Sequence, residues 1–176
     1  MWKRLSSKVI LKHPRMTVIE DEVELPNGTV TDYLRIKNNG DAATIICKRK
    51  DGKLLLQEDY SYPSNKRLIQ FPGGWIPKGE QIEVGAKREF VEETGFIPKS
   101  LELIGKYLIN NRKTDSKMYV FEASGVRKGK QKLDKEEVGI KNVWLTESEF
   151  SDLIKKGLVE NHHTLASWAL YKEVII

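Results

Sequence analysis

Three glutamates fall within five residues in the stretch KREFVEETGF, Lys87 to Phe96. An α-helix advances about 100° per residue. Glu89, Glu92 and Glu93 therefore stand at i, i+3 and i+4, on one face. Ile82, Ala86 and Phe90 form an apolar stripe, and Glu93 projects into the same arc as Ile82 and Ala86. Like charges at helical neighbours cost a few tenths of a kcal/mol per pair, and partial burial of a lone carboxylate costs more. A divalent cation would reverse both effects, and magnesium takes carboxylate oxygens in octahedral geometry. Alone, the stretch reads as a solvated acidic helix end balanced by Lys87 and Arg88. Its context changes that reading.

Arg88 directly precedes Glu89, Glu80 lies eight positions before Arg88, and Gly74 lies six before Glu80. Gly95 and the bulky Phe96 follow. Together these spell Gly-x5-Glu-x7-Arg-Glu-U-x-Glu-Glu-x-Gly-U, with Phe90 and Phe96 at the bulky positions. With ordinary residue frequencies, chance supplies this on the order of 10⁻¹⁰ per window. The pattern resembles the signature of the Nudix hydrolase family. The resemblance implies hydrolysis of a diphosphate linked to another moiety, X, with Mg²⁺ or Mn²⁺. It also implies Glu89, Glu92, Glu93 and the Gly73 carbonyl as metal ligands, with Glu89 and Glu93 leading. Glu80 and Arg88 would brace the loop against the helix. Glu136 and Glu137, in the loop KLDKEEVG, are the alternatives for the general base, with Glu137 adjoining the next strand.

Within that family the layout resembles the ADP-ribose and nucleoside-diphosphate-sugar pyrophosphatases, whose small N-terminal β region is often exchanged across a homodimer. The chain departs from that branch at three places. Asp59-Tyr60-Ser61 replaces the usual Gln-Tyr-Arg, Gln70-Phe71-Pro72 replaces Glu-Leu-Pro, and Asn110 to Asp115 replaces a Ser-Pro-Gly turn. Arg67 and Arg112 are candidates to supply the missing arginine as phosphate contacts, or are surface arginines. Trp75 either stacks on a base or sugar or packs on the N-terminal strands. Tyr33 is open to the same two readings.

These residues need elements to carry them. Residues 1–40 read as a small antiparallel β region, with Pro26 to Thr29 as a turn and Asn38 to Asp41 as the boundary. Residues 41–176 read as an α/β unit of the Nudix α/β/α sandwich type with a mixed sheet. AATIICKRK and KLLLQEDY read as a hairpin about Asp51-Gly52, and LIQF as a short strand. PGGWIPKGE reads as a Gly/Pro-rich turn. A helix is expected from Gln81 to Thr94, stopped by Gly95. LELIGKYLI, KMYVFEA and VGIKNVWLT read as strands. Thr146 would cap the helix ESEFSDLIKKG, and Asn161 the last helix.

The chain has 176 residues, 39% hydrophobic and 31% charged, and one cysteine, Cys47, inside an apolar run. No disulfide framework exists, which suits a reducing cytoplasm. No apolar run approaches the ~20 residues needed to cross a membrane, and no signal peptide is read at the start. The net charge of +5 carries no nucleic-acid recognition motif and fits attraction of a phosphate-bearing small molecule. His162 and His163 lack partners at metal-ligand spacing and read as structural or solvent-exposed. The expected function is a cytoplasmic, homodimeric, metal-dependent pyrophosphohydrolase. It would cleave a nucleoside diphosphate linked to a sugar or similar group into nucleoside monophosphate and phosphorylated X, with water as nucleophile. The alternatives are hydrolysis of a nucleoside triphosphate or capped RNA, and a non-catalytic ligand sensor.

Overall fold

The computed structural model describes residues 1–133, 135 and 137–174. The first unit is an antiparallel sheet of β1 (Lys3–His13), β2 (Met16–Glu24) and β3 (Val30–Ile36), in that order. β1 is exposed along its whole length. Asp21 on β2 is the buried polar exception in this sheet: it takes the Ser7 hydroxyl and the Arg35 guanidinium, and the arginine holds its carboxyl below the usual range. Ile36 N–H donates to the Lys113 carbonyl at 2.7 Å, joining this sheet to the rest.

The second unit centres on β4 (Gly40–Cys47), which runs parallel to β10 (Lys117–Ser124). The order of this mixed sheet is β7-β4-β10-β9, with β7 spanning Trp75–Pro77 and β9 Ser100–Leu108. A second, antiparallel sheet has the order β12-β5-β6, from Lys141–Leu145, Leu54–Ser61 and Lys66–Gln70. A short pair joins β8 (Phe96–Ile97) to β11 (Arg127–Lys128). α1 (Ile82–Thr94) lies on one side, and α2 (Glu147–Lys155) and α3 (His162–Val174) on the other.

Strand alternation divides the core between these two sides. Ala43, Ile45 and Cys47 of β4 and Leu55 of β5 pack with Ala86 and Phe90 of α1. Ile46, Leu54 and Leu56 pack with Phe71, Phe150 and Tyr171 on the opposite side. Central strands buried on both faces explain the unbroken apolar runs AATIIC and LLL. Cys47 is a buried free thiol, pushed up to about 12 chiefly by burial.

Three local expectations change. The turn at Asp51-Gly52 forms, but only the isolated bridge Lys48↔Leu54 closes it, and β4 and β5 enter different sheets. Each has a better-matched partner: β4 pairs with β10, and β5 with β12 and β6. Trp75–Pro77, expected within a turn, pairs with Gly40–Ala42. The strand expected from Val138 begins at Lys141, because Val138 and Gly139 form a turn with Gly139 at φ +88°. The caps form: Thr146 and Glu149 make a reciprocal capping box, and Asn161 Oδ1 accepts from Thr164 N–H at 3.1 Å.

Candidate active site

The helix that carries the glutamates is fixed at its C-terminal end by its neighbours. Gly95 adopts a left-handed φ of +71°, and its N–H closes on the Val91 carbonyl. The carbonyls left over in the last turn of a helix need outside donors. Lys132 N–H reaches the Glu92 carbonyl at 2.8 Å, Gln131 Nε2 the Glu93 carbonyl at 2.6 Å, and Asn142 Nδ2 the Thr94 carbonyl at 2.8 Å. The segment that leads to Glu137 is thereby tied to the end of α1.

At the other side of the carboxylates stands the turn Pro72-Gly73-Gly74. Ile45 N–H donates to the Pro72 carbonyl at 2.8 Å and Ala43 N–H to the Gly74 carbonyl at 3.0 Å, which pins the turn to β4. The Gly73 carbonyl between them accepts no hydrogen bond among the described residues. A side chain at Gly73 would meet backbone, whereas one at Gly74 would meet only the movable Glu89 side chain. A Cβ on Gly73, at φ +146°, would lie 2.1 Å from the Ala43 carbonyl oxygen, and one on Gly74 would lie 2.5 Å from Glu89 Oε2.

Glu93 is 6% exposed, beside Ala86 and Phe90. Gly73 N–H donates to its Oε2 at 2.9 Å. Burial pushes the Glu93 carboxyl up to about 8; that N–H opposes the shift, while Glu137, Glu89 and Asp59 add to it through their charge. Glu89 is also raised, by burial first. Arg88 gathers the rest. Its Nε and Nη2 take the two Glu80 oxygens at 3.1 and 3.0 Å, and its Nη1 reaches Glu89 at 2.7 Å and Glu92 at 3.1 Å. The guanidinium holds Glu80 below its ordinary range and is itself raised, by Glu80 first.

The donor set is carboxylate oxygen plus one backbone carbonyl, which suits a hard divalent cation. The buried Glu93 and the unbonded Gly73 carbonyl are the groups such an ion would compensate. Among the described residues no three His, Cys, Asp or Glu side chains already close at metal-ligand spacing. Arg88 instead engages Glu89 and Glu92.

The other candidates divide into two groups. Arg67 Nη1 donates to the Gly139 carbonyl at 2.9 Å, two residues from Glu137, so Arg67 joins the loop whose charge Glu93 feels. Glu136 lies outside the described residues. Tyr33 and Arg112 meet elsewhere: the Tyr33 hydroxyl donates to the Arg112 carbonyl, and both line a cavity of about 410 Å³ between β3 and the β9–β10 loop. Trp75, 47% exposed, lines one cavity with Gly73 and Gly74 and another with Pro14 and Arg15 of the β1–β2 turn. Two residues escaped the sequence reading. Asp59 bears on Glu93, and Gln57 on the same strand is fully buried with Oε1 lacking a partner among the described residues. The signal was strand alternation, which places Gln57 and Asp59 on the same face as the core residue Leu55.

Residues 38–168 match the NUDIX domain family. The chain belongs to the Nudix family. This Nudix hydrolase also matches, over residues 2–33, the family described as nucleoside diphosphate sugar hydrolase N-terminal domain. It is 28% identical over 137 residues to an ADP-ribose pyrophosphatase of Bacillus subtilis (strain 168), covering 77% of this chain and 74% of the relative. It is 31% identical over 140 residues to a methanol dehydrogenase activator of Bacillus methanolicus, covering 80% and 70%. A solved structure described as ADP compounds hydrolase shares the fold, with a TM-score of 0.86, 23% identity, and coverage of 98% of this chain and 92% of that one.

Proposed function

We propose that this Nudix hydrolase is a Mg²⁺- or Mn²⁺-dependent pyrophosphohydrolase of nucleoside diphosphates linked to a sugar or similar moiety, ADP-ribose among them. The products are a nucleoside monophosphate and phosphorylated X. The observation that carries this reading is the buried Glu93, held by Gly73 N–H among the charges of Glu89, Glu137 and Asp59. Such a group is expensive without a cation and well placed with one. The similarity to an ADP-ribose pyrophosphatase and the match of the N-terminal segment to a nucleoside diphosphate sugar hydrolase domain support the substrate class.

Glu89, Glu92, Glu93 and the Gly73 carbonyl would hold the metal. When bound, the ion neutralises diphosphate oxygens and acidifies water. Arg88 keeps Glu89 and Glu92 oriented and ties them to Glu80. Glu137 accepts the proton of the attacking water. Arg67, on the strand beside that loop, steadies the loop through Gly139 and offers its remaining N–H groups to a phosphate. Residues 1–40 form the pairing unit of a homodimer, supported by a β1 edge exposed from Lys3 to His13. One buried thiol fits a reducing cytoplasm, and no helix of the described residues is long and apolar enough to cross a membrane.

The test is a substrate set of ADP-ribose, GDP-mannose and dinucleoside polyphosphates with Mg²⁺ or Mn²⁺, read by product mass. Release of nucleoside monophosphate from an NDP-X compound is expected. No turnover of any member with either metal would refute the assignment.

A further inference from the structure

The Gly73-Gly74 turn has two sides. One holds the carboxylates; the other opens into a cavity of about 310 Å³. Its apolar walls are Phe71, Trp75, Ile109 and Met118. Two aromatic rings, a thioether and a branched aliphatic chain make a slot suited to a flat, weakly polar ring system. Its volume lies at the lower end of the range for small-molecule sites.

The polar side of the slot presents donors. Asn161 Nδ2 gives one hydrogen to Gln70 Oε1 at 3.0 Å, which leaves its second N–H and the Gln70 amide N–H groups available. His163 follows on the first turn of α3. Its Nδ1 is buried without a partner among the described residues, so we assign the lone pair to that atom, an orphaned acceptor costing less than an orphaned N–H. The proton then sits on Nε2. Burial holds the imidazolium down to about 4, so the ring is neutral at pH 7 and adds no charge to a site that must select an uncharged ring. The His163 backbone carbonyl accepts the Tyr107 hydroxyl at 3.0 Å, and the imidazole lies between the His162 ring, centroids 3.7 Å apart, and the Tyr107 ring at 6.3 Å.

We propose that this cavity takes the nucleoside half of the substrate, with His163 as a residue that selects the base edge. The diphosphate then crosses the side-chain-free Gly73-Gly74 turn to the carboxylates, and X lies toward Arg67 and Glu137. This rests on the pyrophosphohydrolase reading above and assigns the two halves of its substrate.

The test uses the full chain in EDTA, titrated calorimetrically with AMP, GMP, CMP and UMP, and separately with ribose 5-phosphate. At least one nucleotide is expected to bind. His163→Phe, which keeps the ring volume and removes the hydrogen bonds, should weaken that binding about tenfold. It should raise KM about as much for the matching NDP-X while kcat stays within about twofold. Ile109→Trp fills the cavity from its rim without entering the packed core, and should act likewise if the histidine variant fails to fold. Ribose 5-phosphate binding should be unchanged in both. Absence of nucleotide binding by the wild type overturns the proposal. So does nucleotide binding and KM unchanged in both variants, or loss of ribose 5-phosphate binding instead. Calorimetry decides the cavity without turnover, so its failure is distinct from failure to hydrolyse any NDP-X.

Discussion

Glu93 carries opposite consequences for stability and activity. Its metal-free folded value of about 8 lies above the ordinary 4.5, so the native protein keeps a proton that the unfolded chain has released. That contribution is complete below about pH 4.5 and is lost as pH rises through about 8. In EDTA, the melting temperature of the wild type should therefore fall across this window more steeply than that of Glu93→Gln. The variant should be the more stable at pH 7.5, by on the order of 1–3 kcal/mol. Its turnover should drop on the order of 10³-fold. Added Mg²⁺ should raise the wild-type melting temperature, since a ligand of the native state stabilises by about 2.7 kcal/mol at a hundred times Kd, and should leave Glu93→Gln unmoved. A variant with wild-type turnover would remove Glu93 from the ligand set. Arg88→Lys keeps the charge but loses the fork that spans Glu80, Glu89 and Glu92. About a 10–100-fold loss of Mg²⁺ affinity is expected by calorimetry, and unchanged affinity would reduce Arg88 to a surface charge.

The unit that positions these residues is a helix between two straps, the glycine turn at one side and Gln131, Lys132 and Asn142 at the other. Gly74→Ala tests the first strap. The added methyl would lie 2.5 Å from Glu89 Oε2, the far end of a flexible side chain, so Glu89 moves and the backbone need not. Activity should fall at least tenfold while the melting temperature changes little, and a variant of full activity would show that Glu89 has no fixed place. A substitution at Thr146 provides the contrast. Thr146→Ala removes a reciprocal cap on α2, away from the carboxylates, and should cost about 1 kcal/mol in denaturant unfolding with turnover unchanged.

At the scale of the molecule, the N-terminal sheet exposes Leu5, Val9, Ile10 and Leu11 along an edge strand of 11 residues. Between its basic residues this exposed edge carries the apolar run Val9-Ile10-Leu11, which a second copy of the strand would cover. Sedimentation should give twice the 20.2 kDa chain mass, and Val9→Lys combined with Leu11→Lys should give the single chain. A wild-type monomer at micromolar concentration would sink the pairing role of residues 1–40.

The candidate metal ligands and their braces could be named from the sequence because their spacing is local. Glu80, Arg88, Glu89, Glu92 and Glu93 lie within one turn and one helix, where period 3.6 sets their faces and Gly95 sets the end. The same locality made the caps and the apolar strand runs readable. What tertiary structure decided was long-range. Which sheet β4 and β5 enter depends on β10 and β12, some 70 to 90 residues away in sequence, whose pairing outweighs the Asp51-Gly52 turn. Burial of Glu93 depends on the turn at Gly73, twenty residues earlier, whose N–H donates to it. Tyr33 and Arg112, grouped with the other substrate candidates in sequence, are drawn into a different cavity by β3 packing on the β9–β10 loop. The slot beside the glycine turn joins β4, β10 and the start of α3, which no spacing in the chain announces. Sequence by itself determined the set of groups that could hold a cation, because a helix repeats on a period short enough to read. Their depth, their partners and the cavity beside them came only with the fold, because desolvation and packing belong to residues that meet from distant parts of the chain.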